Sequence, residues 1–101
     1  MAKVTFSVQG RANFTNIRNF FLRETNQDFT RKIITQITTE LQRLADTPML
    51  DREDSGFNGP DDRWYWLLDS RFKVFYQRRA SGIKVVMIRH AKMEPLDPST
   101  I

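Results

Sequence analysis

The sequence holds no cysteine, a single histidine, and no apolar run approaching the ~18 residues that a membrane span needs. Without cysteine there is neither a disulfide framework nor a thiolate metal site, and a reducing compartment fits. The opening Met1-Ala2-Lys3-Val4-Thr5-Phe6 has no long apolar stretch, so a secretory leader is not expected. No glycine-rich phosphate loop, nucleophile triad or metal-ligand cluster is visible either. No cofactor, no metal and no membrane association are therefore expected. Acid is almost missing from residues 63–92, where Asp69 alone stands against Arg63, Arg71, Lys73, Arg78, Arg79, Lys84, Arg89 and Lys92.

What is present begins with that imbalance. The net charge is +4, and residues 51–62 are acidic, with Asp51, Glu53, Asp54, Asp61 and Asp62. A basic surface of this kind attracts nucleic acid or an acidic protein segment. The plain alternative is a solvated sheet face. The 101 residues suit one domain, over 1–94, with an extended or disordered tail over 95–101 that carries two of its four prolines. Hydrophobic residues make up 40% of the chain, including eight Phe, two Trp and two Tyr, which is enough for one core. A domain of this size buries only about two-thirds of its unfolded surface, so a bound partner can add to its stability.

Hydrophobic period assigns the elements. Val4, Phe6 and Val8 alternate with Lys3, Thr5 and Ser7, as in a half-buried strand. Ser7 is a good N-cap for a helix over 8–24, whose stripe is Phe14, Ile17 and Phe21, widened by Phe20. Thr25 and Asp28 have capping-box spacing. They precede a second helix carrying Phe29, Ile33, Ile37, Leu41 and Leu44, which runs to about Ala45 and is ended by Pro48. Residues 46–62 read as a loop anchored by Met49, Leu50 and Phe57. Three strands follow. They are an aromatic one over 63–68, one over 71–78 in which Phe72, Val74 and Tyr76 alternate with polar residues, and a central one over 83–90. Asp69-Ser70 and Arg79–Gly82 supply the turns. Phe75 breaks the alternation and points to a second, partly covered face.

The fold class is thus α+β: an N-terminal strand, a helical hairpin, then a three-stranded antiparallel meander. The helices lie on one face of a four-stranded sheet.

Specific residues then carry a likeness to a known family. Phe6-Ser7 is followed by Asn13-Phe14 and Ile17, with Phe20-Phe21 beyond. Leu41, Leu44 and Pro48 end the second helix. Arg63, the Phe72-Lys73-Val74-Phe75-Tyr76 strand, Gly82-Ile83 and Val86-Met87-Ile88-Arg89-His90 complete the set. Over residues 3–94 this pattern resembles ParE-like toxins of the RelE/ParE type II toxin–antitoxin superfamily. Three positions depart from it: Gly10 where the family usually has Ala, Asp51 where it often has Gly, and Met93 where it often has Arg.

The resemblance implies a bacterial, cytoplasmic toxin held inactive in a hetero-oligomer with a cognate antitoxin, which wraps an acidic, partly disordered segment around it. It implies inhibition of DNA gyrase or a related type II topoisomerase by binding. The alternative is a RelE-like, ribosome-dependent mRNA endonuclease. RNA cleavage needs an acid, a base and cations for the phosphate, and Arg63, Arg78 and His90 are the candidates. A lone histidine at a strand end is more often structural, and residues 91–101 contain none of the tyrosines that RelE-like nucleases typically carry there, so no catalytic residue is favoured. Target contact is expected from Arg71, Arg78, Arg79, Arg89, His90 and Lys92. Antitoxin contact is expected from Phe20, Ile34, Trp64, Trp66, Phe75 and Arg78. Trp64 and Trp66 share a strand face, where packing is a better expectation than base stacking.

Overall fold

A computed structural model of the chain describes residues 2–53 and 62–90. β1 (Lys3–Phe6) leads into helix α1 (Val8–Glu24) and, after a sharp break, α2 (Gln27–Asp46). A single 3-10 turn at Pro48–Leu50 precedes the two-residue strand β2 (Arg52–Glu53). β3 (Asp62–Leu67), β4 (Phe72–Arg79) and β5 (Gly82–His90) form the expected meander. The strand order is β1-β5-β4-β3-β2, with β1 parallel to β5 and the other pairs antiparallel. The expected α+β arrangement is therefore present. The short β2 extends the four-stranded sheet by one edge strand.

Local chemistry explains the boundaries. Ser7 caps α1 as expected, its hydroxyl accepting from the Gly10 amide at 2.9 Å. The cap of α2 differs from the expected Thr25–Asp28 box: Asn26 is the N-cap, and its side chain accepts from the Phe29 amide at 2.8 Å. Thr25 instead closes α1, its hydroxyl donating to the Phe21 carbonyl at 2.6 Å. An Asn one position nearer the helix outcompetes Thr because its carbonyl oxygen reaches the third helical amide.

The helices cover one sheet face. Ile17 of α1 and Ile33, Ile37, Leu41, Leu44 and Ala45 of α2 pack on Leu67, Phe72, Val74, Tyr76, Ile83, Val85 and Ile88. Burying each large aliphatic or aromatic side chain contributes about 1.5–3 kcal/mol. Phe29, expected in this stripe, is 38% exposed beside the link between the two helices, and Met49, expected as a loop anchor, is 87% exposed. Leu50 does pack against the core. Phe57 and the tail lie outside the described residues.

Gly10 explains how close α1 lies to the sheet. A Cβ there would stand 2.4 Å from the Val85 carbonyl oxygen, so the departure to glycine lets the helix touch β5. Gly82 has φ +150°, and a Cβ would meet the Lys3 carbonyl oxygen where β1 pairs with β5. The turn expected at Asp69-Ser70 is present but takes in its neighbours: Leu68, Asp69 and Ser70 all have positive φ (51°, 55° and 68°). Leu68 is buried and belongs to the core. A register shift sits opposite Phe75 and Tyr76, which pair with Met87 and Val85, so Val86 is the extra residue of a bulge.

Candidate functional site

The face of the sheet away from the helices carries cross-strand rows. Opposite residues share a face, so Trp66, Lys73 and Arg89 form one row, and Trp64, Phe75 and Met87 the next. Lys73 is the centre of this surface. Its Nζ lies 4.4 Å from the Trp64 ring centre, 5.0 Å from Phe75 and 5.6 Å from Trp66. Arg52, paired with Trp64 across the β2–β3 ladder, places its guanidinium 5.5 Å from the Trp64 ring and 5.4 Å from Tyr65. The two tryptophans meet edge to face at 6.2 Å. Trp66 is 40% exposed, whereas Phe75 is buried. Apolar rings held beside cations in this way suit a segment that is both apolar and acidic. Trp64, Trp66 and Phe75 were legible as candidates. Lys73 was not singled out, although its alternation with Phe72 and Val74 puts it on the tryptophan face.

Arg78 lies on the opposite, helix-covered face. Its Nε donates to the Asp51 carboxylate at 2.9 Å, Nη1 to the Ala45 carbonyl at 2.8 Å and Nη2 to the Leu44 carbonyl at 3.0 Å; Nη2 also pairs with the other Asp51 oxygen. The guanidinium thus closes the C-terminus of α2, where a cation also meets the negative end of the helix dipole. The Tyr76 hydroxyl donates to the same carboxylate. Burial alone would push the Asp51 carboxyl up. The hydrogen bonds from Arg78 and Tyr76 and the charges of Arg78 and Arg63 outweigh it, and hold the group below its usual range. Burial and the adjoining carboxylate push the Tyr76 hydroxyl well above its ordinary value, so it stays a proton donor. The hydrogen bonds to Asp51 raise Arg78 further, against its partial burial.

His90 sits elsewhere. It is buried at the end of β5, stacked on Phe72 at 4.6 Å and flanked by Phe20 and Phe21, each at 5.4 Å. Phe72 pairs with His90, and Arg78 is six residues farther along β4, or about 20 Å at ~3.3 Å per residue. Arg63 lies opposite Tyr76, near Asp51. The three nuclease candidates are therefore split: Arg63 and Arg78 meet around Asp51, and His90 does not join them.

The target-contact candidates divide in the same way. Arg71, Arg89 and His90 gather at one end of β4 and β5, while Arg78 and Arg79 are at the other. Arg71 and Arg89 are exposed, and Arg71 Nε donates to the Leu68 carbonyl at 3.2 Å. Arg79 is exposed and donates to Gln77 at 2.8 Å. Lys92 lies outside the described residues. Of the remaining antitoxin candidates, Phe20 is half-buried against His90 and Phe21, and Ile34 is half-buried on α2. Both helical residues are thus remote from the Trp64–Trp66 face. Among the described residues no cluster of three or more His, Asp or Glu side chains can hold a metal ion, and no helix is long and apolar enough to cross a membrane.

No protein-family model matches this sequence, and no curated protein matches it. Its fold has a clear counterpart. A chain in the solved structure of the chromosomal ParDE TA system from P. aeruginosa superposes with a TM-score of 0.70, over 89% of this chain and 96% of that one, at 13% identity. The shared architecture is the one that the sequence resemblance to ParE-like toxins implies.

Proposed function

We propose that this chain is the toxin of a type II toxin–antitoxin system, that a cognate antitoxin neutralises it, and that it acts in the bacterial cytoplasm by binding and inhibiting DNA gyrase. The observation that carries the reading is the fold, matched over nearly the full length of both chains to a component of a ParDE system. The basic, aromatic outer sheet face supports an acidic antitoxin segment as partner, with Trp64, Trp66 and Phe75 as its apolar contacts and Lys73 as its central cation. Arg71 and Arg89, exposed at one end of the sheet beside His90, are the target contacts we favour, with Arg79 and Lys92 as further candidates. Arg78 contributes by fixing α2 rather than by touching a partner.

The split of Arg63 and Arg78 from His90 supports a binding inhibitor over the mRNA endonuclease. General acid–base work on one phosphate requires its groups within hydrogen-bond reach of the same atoms, and ~20 Å is far outside that. Induced expression of the chain in bacterial cells tests the reading. Growth arrest accompanied by DNA breaks is expected, and an Arg71→Glu/Arg89→Glu variant is expected to relieve it. Normal growth with soluble, folded chain present would overturn the proposal.

A further inference from the structure

The exposed face of α1 lacks most of the charge pattern that makes a helix stable in isolation. Ser7 caps it, yet the first turn contains no acid, and Arg11 stands near the positive end of the helix dipole. Gln9, Asn16 and Asn19 are poorer helix formers than Ala. Gly10 and Asn13 have packing reasons: the first admits the Val85 carbonyl, and the second accepts from the Ile88 amide at 3.1 Å. No comparable reason exists for Arg11, Asn16, Arg18 or Asn19, all exposed, and among the described residues none of their side chains makes a hydrogen bond or ion pair. A helix that is merely solvated gains from opposite charges spaced three or four apart. At those spacings Arg11 meets Ser7, Val8, Phe14 and Thr15, and Arg18 meets Phe14, Thr15, Phe21 and Leu22. Helix α2 shows the contrast, with Asp28 three and four residues before Arg31 and Lys32.

At 100° per residue, Arg11 and Arg18 fall on one line, about 10 Å apart along the axis. Thr15 lies between them along the axis, and Asn19, Ala12 and Asn16 follow round the helix. Over its two central turns the face thus has two cations along one edge, small residues in the middle and side-chain amides beyond, with exposed Val8 one turn before it and exposed Leu22 one turn after. It carries no carboxylate until Glu24, which pairs with Arg23 at 3.4 Å. An open hollow adjoins its N-terminal half, lined by Phe6 and Val8 as well as by Ser7, Arg11, Ala12, Thr15 and Asn16.

We propose that the outward face of α1 is a contact surface for duplex DNA, with Arg11 and Arg18 on backbone phosphates and Asn16 and Asn19 toward the base edges. The occupant follows from charge and shape. Guanidinium groups suit phosphate oxygens, and amide side chains pair with base edges. A helix ~10 Å across matches the ~12 Å major groove of B-form DNA, whereas the A-form groove of RNA is too narrow for it. This face carries none of the target or antitoxin contacts proposed above, and the inference stands or falls independently of that reading.

The test is fluorescence anisotropy of a labelled 20-base-pair DNA duplex with the full chain, from 50 to 200 mM salt. Binding should weaken with salt, and an Arg11→Gln/Arg18→Gln variant should lower the slope of log affinity against log salt by about 2, as expected for two lost phosphate contacts. Its affinity at the lowest salt should fall at least tenfold. Both positions are exposed, so the variant should keep the helical circular dichroism of the parent. An Arg31→Gln/Arg43→Gln variant on α2 should bind as the parent does. No measurable duplex binding, or an unchanged slope in the α1 variant, would overturn the proposal. So would equal affinity for an RNA duplex of the same sequence, or polyglutamate displacing the DNA at equal charge concentration, which would assign the face to an acidic protein.

Discussion

Replacing Arg78 by Met removes the charge and all four hydrogen bonds while keeping a stem of similar length. In the wild-type chain the Arg78 side chain is 19% exposed and the Asp51 side chain 15%. Solvent screening is therefore slight, and the pair behaves as partly buried. Hydrogen bonds to charged groups contribute about 1.5–3 kcal/mol each in favourable settings, and removing one member of a buried pair costs about 3–5 kcal/mol because the other charge is left without compensation. Asp51 would keep the Tyr76 hydroxyl and the more distant charge of Arg63, and the Leu44 and Ala45 carbonyls would lose their cap. Taking the lower bound for partial exposure, Arg78→Met should cost about 3 kcal/mol. For a domain of this size that is a fall in melting temperature of roughly 12 °C or more. Urea denaturation followed by circular dichroism measures it, with Asp51→Asn and the double variant completing a thermodynamic cycle. The coupling energy should be about 2 kcal/mol. A loss under about 0.5 kcal/mol for Arg78→Met, the range of an ordinary surface substitution, would refute the reasoning.

The remaining predictions use the same cluster and the backbone constraints. Because the folded Asp51 carboxyl is held below its ordinary value, its stabilisation is present above the unfolded carboxylate range of about 4 and is lost as pH falls through the lower folded value. The stability gap between wild type and Arg78→Met should accordingly be constant near neutrality and close in strong acid, as urea midpoints at several pH values would show. Tyr76→Phe leaves that carboxylate one donor short and should cost about 1–2 kcal/mol by the same denaturation measurement. Gly82→Ala combines a left-handed backbone with a clash on Lys3, and should lose at least about 2 kcal/mol, with early hydrogen exchange of the β1 amides. Lys73→Glu should fold within about 0.5 kcal/mol of wild type, being on the solvent side of the sheet, yet lose most of its affinity for an acidic antitoxin segment by titration calorimetry.

Periodicity made most of the fold readable. The strand alternation, the two helical stripes and the short links gave the element order, and an N-terminal strand without a hairpin partner had to join the meander. Capping was less readable, because Thr25, Asn26 and Asp28 are all plausible caps and only the geometry of the break chooses among them. The bulge at Val86 was hidden inside the apolar run Val85–Ile88, where every residue looks like core. The site was legible as residue types but not as groupings. Charge counting pooled Arg71, Arg78, Arg79 and Arg89, since along a sequence a strand's two faces and two ends look alike. Arg78 turned inward because Asp51, far away in sequence, and the end of α2 both lie beneath it. Asp51 was visible as part of the acidic stretch 51–62 and as a departure from the family pattern, and nothing local links it to Tyr76 or Arg78.

The most direct test of the central claim uses the purified chain in two parallel assays: gyrase supercoiling with DNA cleavage, and mRNA cleavage on translating ribosomes. Inhibited supercoiling with accumulated cleaved DNA, and intact mRNA, is the predicted result. Cut mRNA with gyrase unaffected would contradict it, and would require Arg63, Arg78 and His90 to act across a separation that this fold does not close.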